Sequence, residues 1–275
     1  MVDGSQILTD ADFERFRTLI YDASGIAFST SNRSVLESRL KERLRASKLD
    51  RVQSYYNLIT GDQEEFKVFL DSVTTNLTRF FRNTAHFQTF ENYVIPALLE
   101  KHKGAPGAPV RVWSAGCSTG EEPYSIAIAL KEHLPPSLRF EVLASDLSLK
   151  SLMTGKQGFY PDSRITGVPE PYLGKYFERV SGGYQITDAI RNLVTFDYHN
   201  LKNDSGLRNL DVVFCRNVLI YFDQAAQKAA VQRLWESMQP GGFLFIGHSE
   251  SLFGMNSGFE FTKTDWACIY KKVNR

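Results

Sequence analysis

Two patterns of apolar residues divide the chain. Through residues 8 to 75, apolar positions recur at helical spacing in short stretches, with cap-type residues in front and glycines behind. Thr9 with Asp12, Asp50 with Gln53, and Asp62 with Glu65 each read as an N-cap and its N3 partner. Gly25 and Gly61 read as stops. Within this bundle, a helix from about Ser34 to Lys48 turns Leu36, Leu40 and Leu44 toward the core. A further helix around 86–101 precedes the linker-like GAPGAP at 104–109.

Beyond residue 110 the period changes. Val110-Arg111-Val112-Trp113 reads as a strand, the small residues 114–120 as a loop, and Glu121-Glu122-Pro123 as the start of an apolar helix through Leu130. A second strand, 139–145, ends at Asp146; 210–215 is a buried-type strand ending in Arg216-Asn217; 243–246 is another. Strands alternating with helices predict a doubly wound parallel sheet, with chemistry at the carboxyl ends of its strands. Residues 176–180, the turn 181–183 and residues 184–187 read as a β-hairpin, with 194–198 strand-like beyond it. Together these predict a small antiparallel β-subdomain at about 176–200, inserted in the α/β domain.

The loop after the first strand points to a ligand. Glycines there let a ligand reach backbone N–H groups that a Cβ would screen. Acidic residues at the helix mouth disfavour phosphate, because a carboxylate repels the anion that a bare helix N-terminus attracts. Asp146 stands where a ribose diol would lie, at a spacing from the glycine loop longer than the dinucleotide fingerprint. A ligand with sulfonium, ammonium and ribose hydroxyls fits: S-adenosylmethionine (AdoMet).

Charge and composition narrow the setting. The chain has 275 residues, 43% hydrophobic, and net charge +1, which gives no global bias toward nucleic acid or membrane. No apolar run reaches membrane-spanning length, and the polar start is no signal peptide, so a cytoplasmic protein is expected. Its three cysteines are dispersed and its five histidines share no metal spacing, so no metal is expected. Charge is segregated locally: residues 31–51 carry seven basic and three acidic side chains, whereas 1–30 with 52–75 carry three basic and nine acidic. Arg39, Lys41, Arg43 and Arg45 lie on this basic stretch, which reads either as a solvated face or as a docking surface for an acidic partner. Gly247-His248-Ser249-Glu250 juxtaposes hydrolase residue types without the nucleophile elbow, since position 251 is Ser. Phe80, Phe81, Phe87 and Phe90 are expected to pack between domains.

The ordered motifs TTNLTRFFR (74–82), RVWSAGCSTGEEPYSIA (111–127), LASD (143–146), YHNL (198–201), FCRNVLIYFD (214–223) and GHSE (247–250) resemble the chemotaxis receptor methyltransferases, the CheR family. The resemblance spans nearly the whole chain. It implies a helical N-terminal receptor-docking domain (1–75), an interdomain segment and linker (76–109), and an AdoMet-binding methyltransferase domain (110–275) with Rossmann-like fold. It also implies O-methylation of glutamates on the cytoplasmic helices of chemoreceptors, with S-adenosylhomocysteine as product. By family correspondence the cofactor contacts are Asn76, Thr78, Arg82, Gly116, Glu122, Asp146, Asn200, Leu201, Arg216 and Asn217. A substrate carboxylate is already ionised at pH 7, so the transfer needs no general base. Arg82 is then a candidate to hold either the methionine carboxylate of AdoMet or the incoming glutamate. Tyr221 either meets the sulfonium, orients the substrate, or packs. The alternative function is a non-catalytic adaptor responsive to AdoMet or S-adenosylhomocysteine, and methylation of a different nucleophile is a third. In some members of the family the β-subdomain binds a tethering peptide at the receptor tail. The short 181–183 connection offers few side chains to grip one, so no tether is expected here.

Overall fold

The computed structural model describes residues 7–74, 77–104 and 107–273, which form two compact units.

The first unit holds residues 7–74 together with 220–227. Its helices are α1 (Asp10–Ser24), α2 (Arg33–Ala46), α3 (Val52–Gly61) and α4 (Gln63–Val73). Thr9 caps α1 by accepting the Asp12 N–H, Asp62 caps α4 by accepting those of Glu64 and Glu65, and Gly25 ends α1 in the left-handed region. The Asp50–Gln53 cap does not form: Arg51 occupies the cap position of α3 and gives no side-chain cap bond. The core is Phe13, Phe16, Ile20, Leu36, Leu40, Tyr55, Ile59 and Phe69, with edge-to-face contacts of Phe16 to Tyr56 and Phe69. Residues 220–227 pack with these helices. The Ala27 N–H donates to the Tyr221 carbonyl at 2.8 Å, Ile26 bridges Phe222, and the Tyr21 hydroxyl donates to Asp223 at 2.8 Å.

The second unit is built on ten strands: β1 (Val110–Ala115), β2 (Phe140–Asp146), β3 (Phe159–Pro161), β4 (Phe177–Val180), β5 (Gly183–Ile186), β6 (Val194–Tyr198), β7 (Leu210–Cys215), β8 (Met238–Ile246), β9 (Phe259–Lys263) and β10 (Cys268–Lys272). Seven of them form the main sheet in the order β6-β2-β1-β7-β8-β10-β9, the first five parallel and β10 antiparallel to both of its neighbours, β8 and β9. The order reverses direction between β1 and β7, the topological switch point where open α/β sheets place their ligands. Every residue of β7 is buried, as expected for a central strand covered on both faces.

Residues before β1 belong to this unit. The segment read as one helix around 86–101 is α5 (Thr84–Thr89), a π-helical turn (Phe90–Val94) and α6 (Ile95–Lys103). Its aromatic residues were expected between domains but lie in the core of the sheet domain. Phe80 packs on Tyr160 and Phe177, and Phe90 packs on Phe214 and Phe245, which themselves stack with centroids 4.3 Å apart. After β1 comes α7 (Glu121–His133), and after β2 comes α8 (Leu149–Gln157).

The small sheet differs in membership from the reading of 176–200. Its order is β3-β5-β4, whereas β6, grouped with the hairpin, pairs parallel with β2 at the edge of the main sheet. Val194 and Phe196 bury one side of β6 while Thr195 and Asp197 face out, which suits an edge strand. Strand β3 was missed because it is three residues long and ends in proline. Gly183 makes its approach possible: a Cβ there would stand 2.8 Å from Pro161 Cα.

Candidate active site

The site grows from the ends of β1, β2 and β7. After β1 the chain turns through Gly116 (φ 83°), and the N–H groups of Gly116 and Cys117 both donate to the Ser145 carbonyl, at 2.8 and 2.9 Å. The turn is thereby fastened to the end of β2. Asp146 completes the fastening: one carboxylate oxygen accepts the Ser118 N–H at 2.7 Å and the other that of Ser148 at 2.9 Å. Cys117 is buried and its thiol is pushed well up by burial, which makes it an inert packing group.

The two acids at the mouth of α7 are buried and paired, so neither is a bare solvated charge. Glu121 is fully buried and receives the Thr119 hydroxyl at 2.7 Å; Arg164 pairs with it and also donates to Thr119 at 2.6 Å. Burial nonetheless raises the Glu121 carboxyl above its usual range, against the pull of Thr119 and Arg164. Tyr160 adds a third fastening by donating its hydroxyl to the Thr119 carbonyl at 2.7 Å. Glu122, 8% exposed, accepts the Ser114 hydroxyl at 2.8 Å and the Arg216 guanidinium at 3.0 Å.

Arg216 joins the pieces. From the end of β7 it reaches Glu122 and donates a second N–H to the Arg82 carbonyl at 2.6 Å. Burial holds its guanidinium below the ordinary arginine value, although Glu122 opposes the shift. Its Nε is buried and finds no hydrogen-bond partner among the described residues. Arg82 lies between two residues in the left-handed region, Phe81 (φ 47°) and Asn83 (φ 66°), and its own guanidinium donates to the Leu77 carbonyl at 2.9 Å. Such conformations in residues with side chains concentrate at functional sites. Asn217 is left-handed too, at φ 60°.

The structure thus brings Gly116, Glu122, Asp146, Arg216, Asn217 and the Arg82 backbone to one edge of the sheet. Asn200 and Leu201 follow β6, the neighbour of β2; Asn200 caps its own loop by accepting the Lys202 N–H at 3.0 Å. Thr78 is half-buried on the segment leading to Arg82. Asn76 lies outside the described residues. Tyr221 belongs to residues 220–227 of the first unit, where its carbonyl serves Ala27. Sequence reasoning missed Ser114, Tyr160 and Arg164. Ser114 was within the quoted motif, but Tyr160 and Arg164 reach the loop from more than 40 positions away and leave no local signal.

Arg43 also departs from expectation. It is held by Glu65 in a two-pronged pair, at 2.7 and 2.9 Å, which Tyr55 joins by donating to Glu65 at 2.7 Å. Arg45 is exposed, and Arg39 and Lys41 are partly so. No group of three or more metal-ligating side chains able to hold an ion occurs among the described residues. No helix among them is long and apolar enough to cross a membrane.

A switch-point loop fastened to an acid at the end of the second strand is the layout of a ligand site in an open α/β sheet, and it fits the class of AdoMet-dependent methyltransferases. Comparison with known proteins identifies which kind. The family description "CheR methyltransferase, SAM binding domain" matches residues 76–268, and "CheR methyltransferase, all-alpha domain" matches 11–74. The chain belongs to the CheR methyltransferase family. It is 37% identical to chemotaxis protein methyltransferase 2 of Vibrio cholerae over 98% of this chain and 95% of that one. It is 36% identical to the chemotaxis protein methyltransferase of Escherichia coli over 92% and 88%, and 32% identical to that of Borreliella burgdorferi over 92% of each.

Proposed function

We propose that this enzyme methylates glutamate side chains on the cytoplasmic helices of methyl-accepting chemoreceptors. Family membership supports the reaction, and the convergence of Asp146, Glu122, Arg216 and Arg82 at the switch point supports the site. These residues fit AdoMet. Asp146 stands at the end of β2 where a ribose would meet it, and the buried Arg216 Nε, which has no hydrogen-bond partner among the described residues, suits a nearby carboxylate or carbonyl.

AdoMet, when bound, supplies an electrophilic methyl group on a sulfonium. The chain's own residues then position rather than exchange protons, because a glutamate carboxylate is ionised at pH 7 and needs no base. Gly116 makes the turn that fastens the loop to β2, and Thr78, Asn200, Leu201 and Asn217 are the further residues that would hold the ligand. Arg82 holds a carboxylate through its planar fork, that of AdoMet or that of the substrate. The receptor is met by the basic face of α2 through Arg39, Lys41 and Arg45, whereas Arg43 serves the fold through Glu65. No receptor tail peptide is needed as a tether.

Calorimetry on Asp146→Ala tests the cofactor assignment. AdoMet and S-adenosylhomocysteine should both bind roughly 10- to 100-fold more weakly, from loss of about 1–3 kcal/mol of charge-assisted hydrogen bonding. Unchanged affinity for both would remove Asp146 from the site.

A further inference from the structure

Beyond the last rung of the β7–β8 ladder, where Cys215 pairs with Ile246, two backbone N–H groups on adjacent parallel strands have no ladder partner. One belongs to Asn217 and the other to Gly247. A single side-chain oxygen takes both: Glu250 Oε2 accepts from Asn217 at 2.9 Å and from Gly247 at 2.5 Å. The carboxylate reaches back because the chain turns immediately, with the Glu250 N–H donating to the Gly247 carbonyl at 2.9 Å. Gly247 is required for this closure: a Cβ there would lie 2.6 Å from Glu250 Oε2 and 2.8 Å from the Asn217 nitrogen. Gly247 is buried and Glu250 half-buried, while His248 and Ser249 between them are exposed. The chemistry of GHSE therefore rests in its first and last residues.

We infer that Glu250 is a positioning residue for AdoMet binding, holding Asn217 in its left-handed conformation at the switch point by accepting its N–H across the strand ends. Asparagine enters the left-handed region more readily than most side chains, and the charge-assisted bond to its N–H fixes Asn217 in that one conformation. The same carboxylate lies within electrostatic reach of Arg216, the residue before Asn217. The inference rests on the proposal that Asn217 contacts AdoMet, and it adds a second residue that acts through the first.

The test is a double-mutant cycle on the full chain, with AdoMet affinity read by calorimetry and folding followed by circular dichroism. Glu250→Ala should raise the AdoMet Kd about 10-fold, and Asn217→Ala should do so by a similar factor. The double variant should lie within about threefold of the weaker single, because both remove one interaction. Glu250→Gln keeps an acceptor oxygen on the same arm and should return the Kd to within about threefold of wild type. A role in stability alone would not produce that pattern in affinity. Glu250→Asp, too short to span both N–H groups, serves if the alanine variant does not fold, and should match its loss. Losses that multiply in the double variant, or a glutamine variant as weak as alanine, would overturn the inference. Wild-type affinity in Glu250→Ala beside a loss in Asn217→Ala would overturn it and leave the Asn217 contact standing. Wild-type affinity in Asn217→Ala would overturn that contact and the inference together.

Discussion

Removing the carboxylate of Glu122 should cost the fold more than any surface change. The pair it forms with Arg216 is buried on both sides, with Arg216 6% and Glu122 8% exposed. Glu122→Ala would leave the guanidinium inside the protein with the Arg82 carbonyl as its remaining described acceptor. Breaking a buried pair on one side typically costs about 3–5 kcal/mol, most of it the penalty of the stranded charge. For a domain of this size, 1 kcal/mol moves the thermal midpoint by about 2–4 °C, so the transition should fall by roughly 6–20 °C. Replacing both members with apolar groups, Glu122→Leu with Arg216→Met, removes the stranded charge and should recover much of that loss in stability while AdoMet binding remains weakened. Scanning calorimetry of the singles and the double, with AdoMet titrations alongside, separates the two effects. A fall under about 2 °C in Glu122→Ala, or strictly additive losses in the double, would refute the view that Arg216 and Glu122 act as one buried strut.

The acid limb of stability should carry a histidine signature. Burial, with smaller contributions from Arg216 and His248, pulls the His86 pKa down to about 3, so between pH 6.5 and 3 the unfolded chain binds a proton the folded one refuses. Stability should therefore fall as pH drops through that window, by up to roughly 1.4 kcal/mol per unit, and denaturant titrations of His86→Phe should show a flatter limb. Reversing Arg39 and Arg45 to Glu should raise the receptor KM and flatten its salt dependence without moving the thermal midpoint. Arg43→Ala should instead lower the midpoint by stranding Glu65, and a salt-insensitive wild-type KM would count against docking on α2. Tyr160→Phe deletes the hydroxyl that holds the Thr119 carbonyl and should weaken AdoMet binding several-fold, by about 1 kcal/mol; unchanged affinity would make it a packing residue only.

The legible parts of this molecule were those whose signals are local. The strands around the switch point are mostly apolar, broken only by Arg111 and Ser114 in β1 and Asp211 in β7, the caps at Thr9 and Asp62 lie within a turn of their partners, and the turn at Gly116 is announced by its composition. Aromatic position proved harder. Phe80 and Phe90 carry no mark that distinguishes a domain core from a domain boundary, and only tertiary packing against Tyr160 and Phe214 decides it. The third strand of the small sheet, three residues ending in proline, is below what period or propensity can register. In the site, Asp146 stands at a strand end and could be named from the sequence. The pairing of Arg216 with Glu122 spans 94 positions and could not. Arg43 failed as an exposed docking charge for the same reason: its partner Glu65 is on another helix, and charge counting treats both as solvated.

Transfer of labelled methyl groups from AdoMet to receptor cytoplasmic fragments, followed by mild alkali, tests glutamate methylation directly. Glutamyl methyl esters hydrolyse and release volatile labelled methanol, so nearly all protein-bound label should become volatile, and substituting the modified glutamates by alanine should abolish incorporation. Label that stays on the fragment through alkali, as N-methyl groups would, or no incorporation by the folded AdoMet-binding enzyme, would contradict it.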